Sequence, residues 1–308
     1  MSSRRLSPRQ LSVAVLTGGL SAGAAAAGRA DWWWLLALTP VGMALGWLLL
    51  RHMGGRPLHP VLRILYGGWA VVLLSDVLGR AAGRVQAASG GEGGRVWLLI
   101  LLALPLLWMG WGKAAAFFRA VEIFWLAVLA TMAAILLLGA PRIEWRWVLE
   151  PAGDWRSSLL SGTLTMSTGL FVLPLLDKAA SEEGGARRGL IWLGALGLAS
   201  AALSALAAGL LSPRVAAQLD EPFFAAAGLL GDSARLEGLV SALWLLPDLT
   251  LAGLLARCWG ERQRPALAAV AALGLALTRA VDILPEPVLP LGCLVLAILT
   301  AALPPGRG

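Results

Sequence analysis

Charge is what this sequence most conspicuously lacks. Only 14% of its 308 residues are Asp, Glu, Lys or Arg, against 58% hydrophobic, and the mean hydropathy is +0.76. So little polar surface cannot cover a soluble globule of this length, which leaves a polytopic protein embedded in a lipid bilayer. Cysteine is nearly absent as well. Cys258 and Cys293 both fall in or beside apolar segments, which excludes a disulfide framework and a zinc site. The two histidines, His52 and His59, sit in one loop without the thiol or carboxylate company of a metal site, so no metal and no cofactor is expected. They are also far from Gly19-Leu20-Ser21-Ala22-Gly23, which matches G-x-S-x-G but lacks the strand-turn-helix setting and the base that an activated serine needs. The chain is not read as an enzyme. "SGGEGGR" lacks the Lys-Ser/Thr of a phosphate-binding loop and reads as an outer loop. The opening "MSSRRLSPRQLSVAVLTGG" has the basic start of a signal peptide but no cleavage site, and its apolar stretch runs on to Gly28, so it is read as a retained first span.

What is present is a succession of apolar segments. A window of roughly 19 residues predicts spans near 10–28, 31–50, 61–79, 96–112, 120–140, 157–176, 189–211, 236–256, 266–284 and 287–303. Positively charged flanks resist translocation. With the N-terminus inside, 15 of the 25 Lys and Arg fall on inner flanks, so both termini are expected in the cytoplasm. The loop from Gly90 to Gly94 is then outside and the one from Glu182 to Gly185 inside. The net charge of +7 is spread over inner loops rather than gathered in one basic domain, which argues against a nucleic-acid partner. Tryptophans such as Trp32, Trp145 and Trp155 cluster near predicted outer boundaries, where indoles favour the interface.

Ten spans with both ends inside divide into two halves of five, about 10–140 and 157–303, that enter the membrane from opposite sides. One all-α membrane domain built as a five-plus-five inverted repeat is therefore expected. In such folds the first helix of each half is often discontinuous, so that free backbone groups can hold a solute. Those two helices here are "LTGGLSAGAAAAG" and "SGTLTMSTGLFVLPLL", each interrupted by glycines and hydroxyls. Spans 1 and 6 are therefore expected to be broken, with Thr17, Gly18, Gly19, Thr168 and Gly169 around a small polar ligand such as an amino acid. Close packing of helices through small residues would use the same glycines.

The segments "LSPRQL", "LTGG", "GRADWWW", "GKAAAFFRAVEI", "TGLFVLPLL" and "DEPFF...GDSARLEGLVSALW", in that order, resemble the spore-germination permeases, the integral-membrane B subunits of nutrient germinant receptors within the amino acid-polyamine-organocation superfamily. The resemblance implies a ligand-sensing permease in the inner membrane of a bacterial spore, working with a larger A-type subunit and a C-type lipoprotein. The alternative is a free-standing amino-acid or small-solute transporter coupled to H+ or Na+.

Ionisable groups inside a membrane are expensive and point to function. Asp76 in span 3, Glu122 in span 5 and Asp248 in span 8 are the candidates, for ion coupling or as structural charges. Glu122 lies one turn after Arg119, so the two can pair on one face, and Asp76 can reach Arg80 at i+4. Asp248 follows Pro247, which frees a carbonyl within the helix.

Overall fold

A computed structural model describes residues 7–53, 58–89, 94–151, 155–177, 185–231, 235–259, 264–284 and 287–303. The expected loop tips at 90–93 and 182–184 lie outside these residues. The described chain is all-helical. Ten helices of 14 to 29 residues fall on the ten predicted segments. They are α1 (Pro8–Ala26), α2 (Trp32–Met53), α3 (Pro60–Ala88), α4 (Arg95–Trp111), α5 (Ala114–Gly139), α7 (Trp155–Asp177), α8 (Gly185–Leu211), α11 (Arg235–Arg257), α12 (Arg264–Leu277) and α13 (Val288–Ala302). A 3-10 turn (Ala140–Arg142) and the short helices α6 (Trp145–Leu149), α9 (Pro213–Gln218) and α10 (Pro222–Leu229) occupy two of the connections.

Helix starts follow local chemistry. Ser7 and Gln10 form a reciprocal capping box ahead of Pro8, each bond 3.3 Å, which satisfies amides that the first turn leaves free. His59 Nδ1 accepts from the Val61 amide ahead of α3, whose Pro60 has no donor to lose.

The chain is a membrane protein. Among the described residues, five helices are long and apolar enough to cross a bilayer: α2, α3, α5 with its 3-10 extension, and the segments Leu190–Leu211 and Leu236–Arg257 of α8 and α11. Shorter apolar stretches lie at Arg95–Met109, Arg264–Leu277 and Val288–Ala302. Large apolar side chains such as Ile64, Trp108, Ile123, Leu126 and Leu137 stand fully outside the protein core. A soluble surface would hide such side chains; here they face the lipid.

Spans 1 and 6 are not broken, and this corrects the sequence reading. Both α1 and α7 run without interruption. Their threonine hydroxyls bond to carbonyls one turn back in their own helix: Thr17 to Val13 at 2.7 Å, Thr163 to Leu159 at 2.7 Å and Thr168 to Leu164 at 2.9 Å. A side chain that is satisfied this way does not require an unwound backbone. The glycines admit neighbours: Leu196 of α8 sits where a Gly19 side chain would be, and Leu193 would meet a Gly169 Cβ at 2.6 Å. Span 9 also ends early. Its helix stops at Leu277, and turns carry the chain to Leu284 through Arg279 at φ 53°.

Each helix packs on partners from the other half of the chain. α1 lies along α7, α8 and α11; α2 along α7 and α8; α3 along α11 and α12; α4 along α12. One core cluster gathers side chains of α3, α4, α11 and α12, and another gathers those of α1, α7, α8 and α10. Between the ends of α3, α7 and α11 that are predicted to face outside, the packing opens into a cavity.

Candidate functional site

The cavity has a volume of about 800 Å³ and is lined by the last turns of α3, the first turns of α4, α7 and α11, the stretch 219–225 and the turns after α12. Five arginines and five carboxylates line it. Most are paired. Arg80 holds Asp76 at 2.9 Å, Arg95 holds Asp282 at 3.1 Å and Arg29 holds Asp220 at 3.2 Å.

The deepest pair is Arg84 with Asp248. Arg84 Nη2 donates to Asp248 Oδ2, and Ser21 Oγ of α1 donates to Oδ1 at 2.6 Å. Both charged side chains are almost completely buried. The guanidinium also stacks over Phe224, 4.4 Å from the ring centre, an arrangement favourable to a desolvated cation. Across the cavity floor, Glu221 Oε2 stands 3.6 Å from Arg84 Nε. Burial pushes the Glu221 carboxyl above the usual range, Arg84 and Arg80 pull it back, Asp248 adds to the rise and Arg29 opposes it. Glu221 precedes Pro222, the first residue of α10, so its position is set by a short rigid link.

Below the cavity the inner halves of α3 and α7 are closed. Tyr66 and Phe171, both fully buried, stack with their rings 4.8 Å apart, and the Tyr66 hydroxyl shares a 3.1 Å hydrogen bond with Thr300 of α13.

The residues expected at the site divide. Asp76 lines the cavity and pairs with Arg80, the partner its spacing offered. Asp248 forms part of its floor through Arg84. Gly19, Thr168 and Gly169 do come together, but around a small space shared with Val15, Val172, Leu251 and Leu254 that has no room for a water molecule. Gly18 lies against the backbone of Leu251, where a Cβ would approach the Cα to 3.2 Å. Thr17 is buried beside them. Glu122 faces Arg9 of α1 at 3.8 Å, while Arg119 is exposed.

The chain matches no family profile and no curated protein. What can be said of its chemistry therefore comes from the cavity. Sequence reasoning missed Arg84, Ser21 and Glu221 there. A signal for Arg84 did exist: Asp76, Arg80 and Arg84 recur every four residues, which puts three charges on one face of α3.

Proposed function

We propose that this chain is a permease-type membrane subunit of a nutrient germinant receptor, which binds a small polar solute such as an amino acid on the outer side of the bacterial inner membrane. The germination role rests on the order of the sequence segments that resemble the spore-germination permeases. The permease architecture has further support in the way the helices pair. In a five-plus-five inverted repeat, α1 to α5 correspond to α7, α8, α11, α12 and α13, so every contact between helices should recur between their counterparts. The packing of α1 on α8 recurs as α7 on α2, α1 on α5 as α7 on α13, α3 on α12 as α11 on α4, and α5 on α11 as α13 on α3.

Two seams fail to recur among the described residues, and the first carries the reading. α1 is packed along α11 with no comparable seam joining α7 to α3, and α7 is packed on α8 with no comparable seam joining α1 to α2. α3 and α7 meet at the Tyr66–Phe171 stack, and the charged cavity opens between their other halves. A repeat closed at one seam and open at its counterpart is what a solute-binding permease exposes to one side of the membrane. The buried Arg84–Asp248 pair favours, as a second reading, uptake coupled to H+ or Na+ by a free-standing transporter.

Deletion of the gene in a spore-former, with measurement of germination on single amino acids, tests the proposal. Loss of the response to one nutrient, together with recovery of the chain alongside a larger A-type subunit and a lipoprotein, is expected. Normal germination, with uptake of an amino acid by the purified chain in liposomes, would replace the receptor reading with the transporter.

A further inference from the structure

The cavity floor is short of partners in two ways. Arg84 is one cation facing two carboxylates, Asp248 and Glu221. Of the neighbouring arginines, Arg80 is in contact with Asp76 and Arg29 with Asp220. Hydrogen bonding falls short as well. Arg84 Nε and Glu221 Oε2 are both buried, and neither has a hydrogen-bond partner among the described residues. Their separation of 3.6 Å is beyond the roughly 3.2 Å limit of a good N–H···O bond. Arg84 is not free to close that gap, because Asp248 holds its far edge and Phe224 lies against its face. A buried donor and a buried acceptor thus stand side by side at the end of an open cavity, each held in place and each unsatisfied.

The geometry points to Arg84 and Glu221 as paired anchors for a zwitterionic solute, with Arg84 Nε–H donating to its carboxylate and Glu221 Oε2 accepting from its ammonium group. This assignment deepens the proposed reading of a small polar solute and rests on it. An α-amino acid carries both groups on one carbon, as the two anchors are adjacent here. Once it is bound, every charge on the floor has an opposite neighbour: Asp248 with Arg84, Arg84 with the carboxylate, Glu221 with the ammonium. A simple amine would leave Arg84 Nε without an acceptor. A simple carboxylate would add a third negative group to a floor that already has two, and so should bind least.

The test uses the full-length chain in lipid nanodiscs, with binding read from thermal stabilisation. Each of the twenty standard L-amino acids is titrated alone, and the tightest is compared with its decarboxylated and its deaminated analogue. The wild type is expected to prefer the amino acid over either analogue by at least about tenfold. Glu221→Gln should weaken amino-acid binding by about 10- to 100-fold, the range of one hydrogen bond to a charged group. It should leave the affinity for the deaminated analogue unchanged or higher, which also shows that the variant is folded. Arg84→Lys, which keeps the charge beside Asp248, should abolish the preference for the amino acid over the amine. Wild-type affinity in both variants would overturn the assignment of the anchors while leaving the proposed function intact. Equal affinity of the wild type for amine and amino acid would reduce the site to a cation site and overturn the zwitterion. If no amino acid stabilised the wild type, the proposed function would fail and the assignment with it.

Discussion

Asp248 and Arg84 stabilise each other only as a pair. Breaking a buried ion pair leaves one charge without its partner and costs about 3–5 kcal/mol, so Asp248→Asn should strongly lower the thermal midpoint of the purified protein. Asp248→Asn with Arg84→Gln should cost less than the sum of the single changes, because the orphaned charge is gone. Additive losses in that cycle would mean that the two residues act independently. Glu221 provides a test in pH. Its carboxyl is raised, first by burial and then by Asp248, against the opposing pull of Arg84, Arg80 and Arg29. Relative to the unfolded chain, the ligand-free fold therefore disfavours the Glu221 carboxylate. Stability from this group is complete below the ordinary Glu value of about 4.3 and is lost as pH rises through the raised value. Glu221→Gln should thus raise the midpoint of the ligand-free protein near neutral pH, and the difference should vanish in mild acid. An effect of the opposite sign would show that Glu221 is stabilised as the carboxylate.

The helices themselves were legible in the sequence, because a run of apolar residues long enough to cross a bilayer is a strong and local signal. Their ends were less so. The apolar window ends span 3 at 79, but α3 continues to Ala88 and carries Arg84 with it into the protein. The pairing of Arg84 with Asp248 spans 164 positions, and no local spacing encodes it. Span 6 misled for a different reason: hydroxyls and glycines lower helix propensity, yet here the hydroxyls bond within the helix and the glycines receive leucines. Gly169→Leu should accordingly lower the abundance of the folded protein, since Leu193 already occupies the space, and normal abundance would show that the seam can open. The α1–α2 link makes a stricter demand on glycine. Gly28 has φ 87°, donates to Ser204 Oγ at 3.2 Å, and would place a Cβ 2.7 Å from Pro222. Gly28→Ala should cost at least the 1–2 kcal/mol or so of a left-handed residue with a Cβ, read as a lowered midpoint in thermal unfolding. An unchanged midpoint would mean that the link adjusts freely.

For the whole molecule, the deciding feature is the cavity open at the ends of the helices predicted to face outside and closed below by Tyr66 and Phe171. Gly83 lines this cavity with nothing within 4 Å of its Cβ position, and Gly112 lies exposed at the predicted inner end of α4. Each can carry a single cysteine in a chain whose Cys258 and Cys293 have been replaced. The deciding measurement is the labelling of Gly83→Cys and Gly112→Cys by a membrane-impermeant thiol reagent added to intact cells, with and without the amino acid that binds. The account predicts that Gly83→Cys reacts from outside and is protected by the amino acid, and that Gly112→Cys reacts only after the membrane is permeabilised. Labelling of Gly112→Cys but not Gly83→Cys in intact cells, or reaction of Gly83→Cys at the same rate with and without the amino acid, would contradict it.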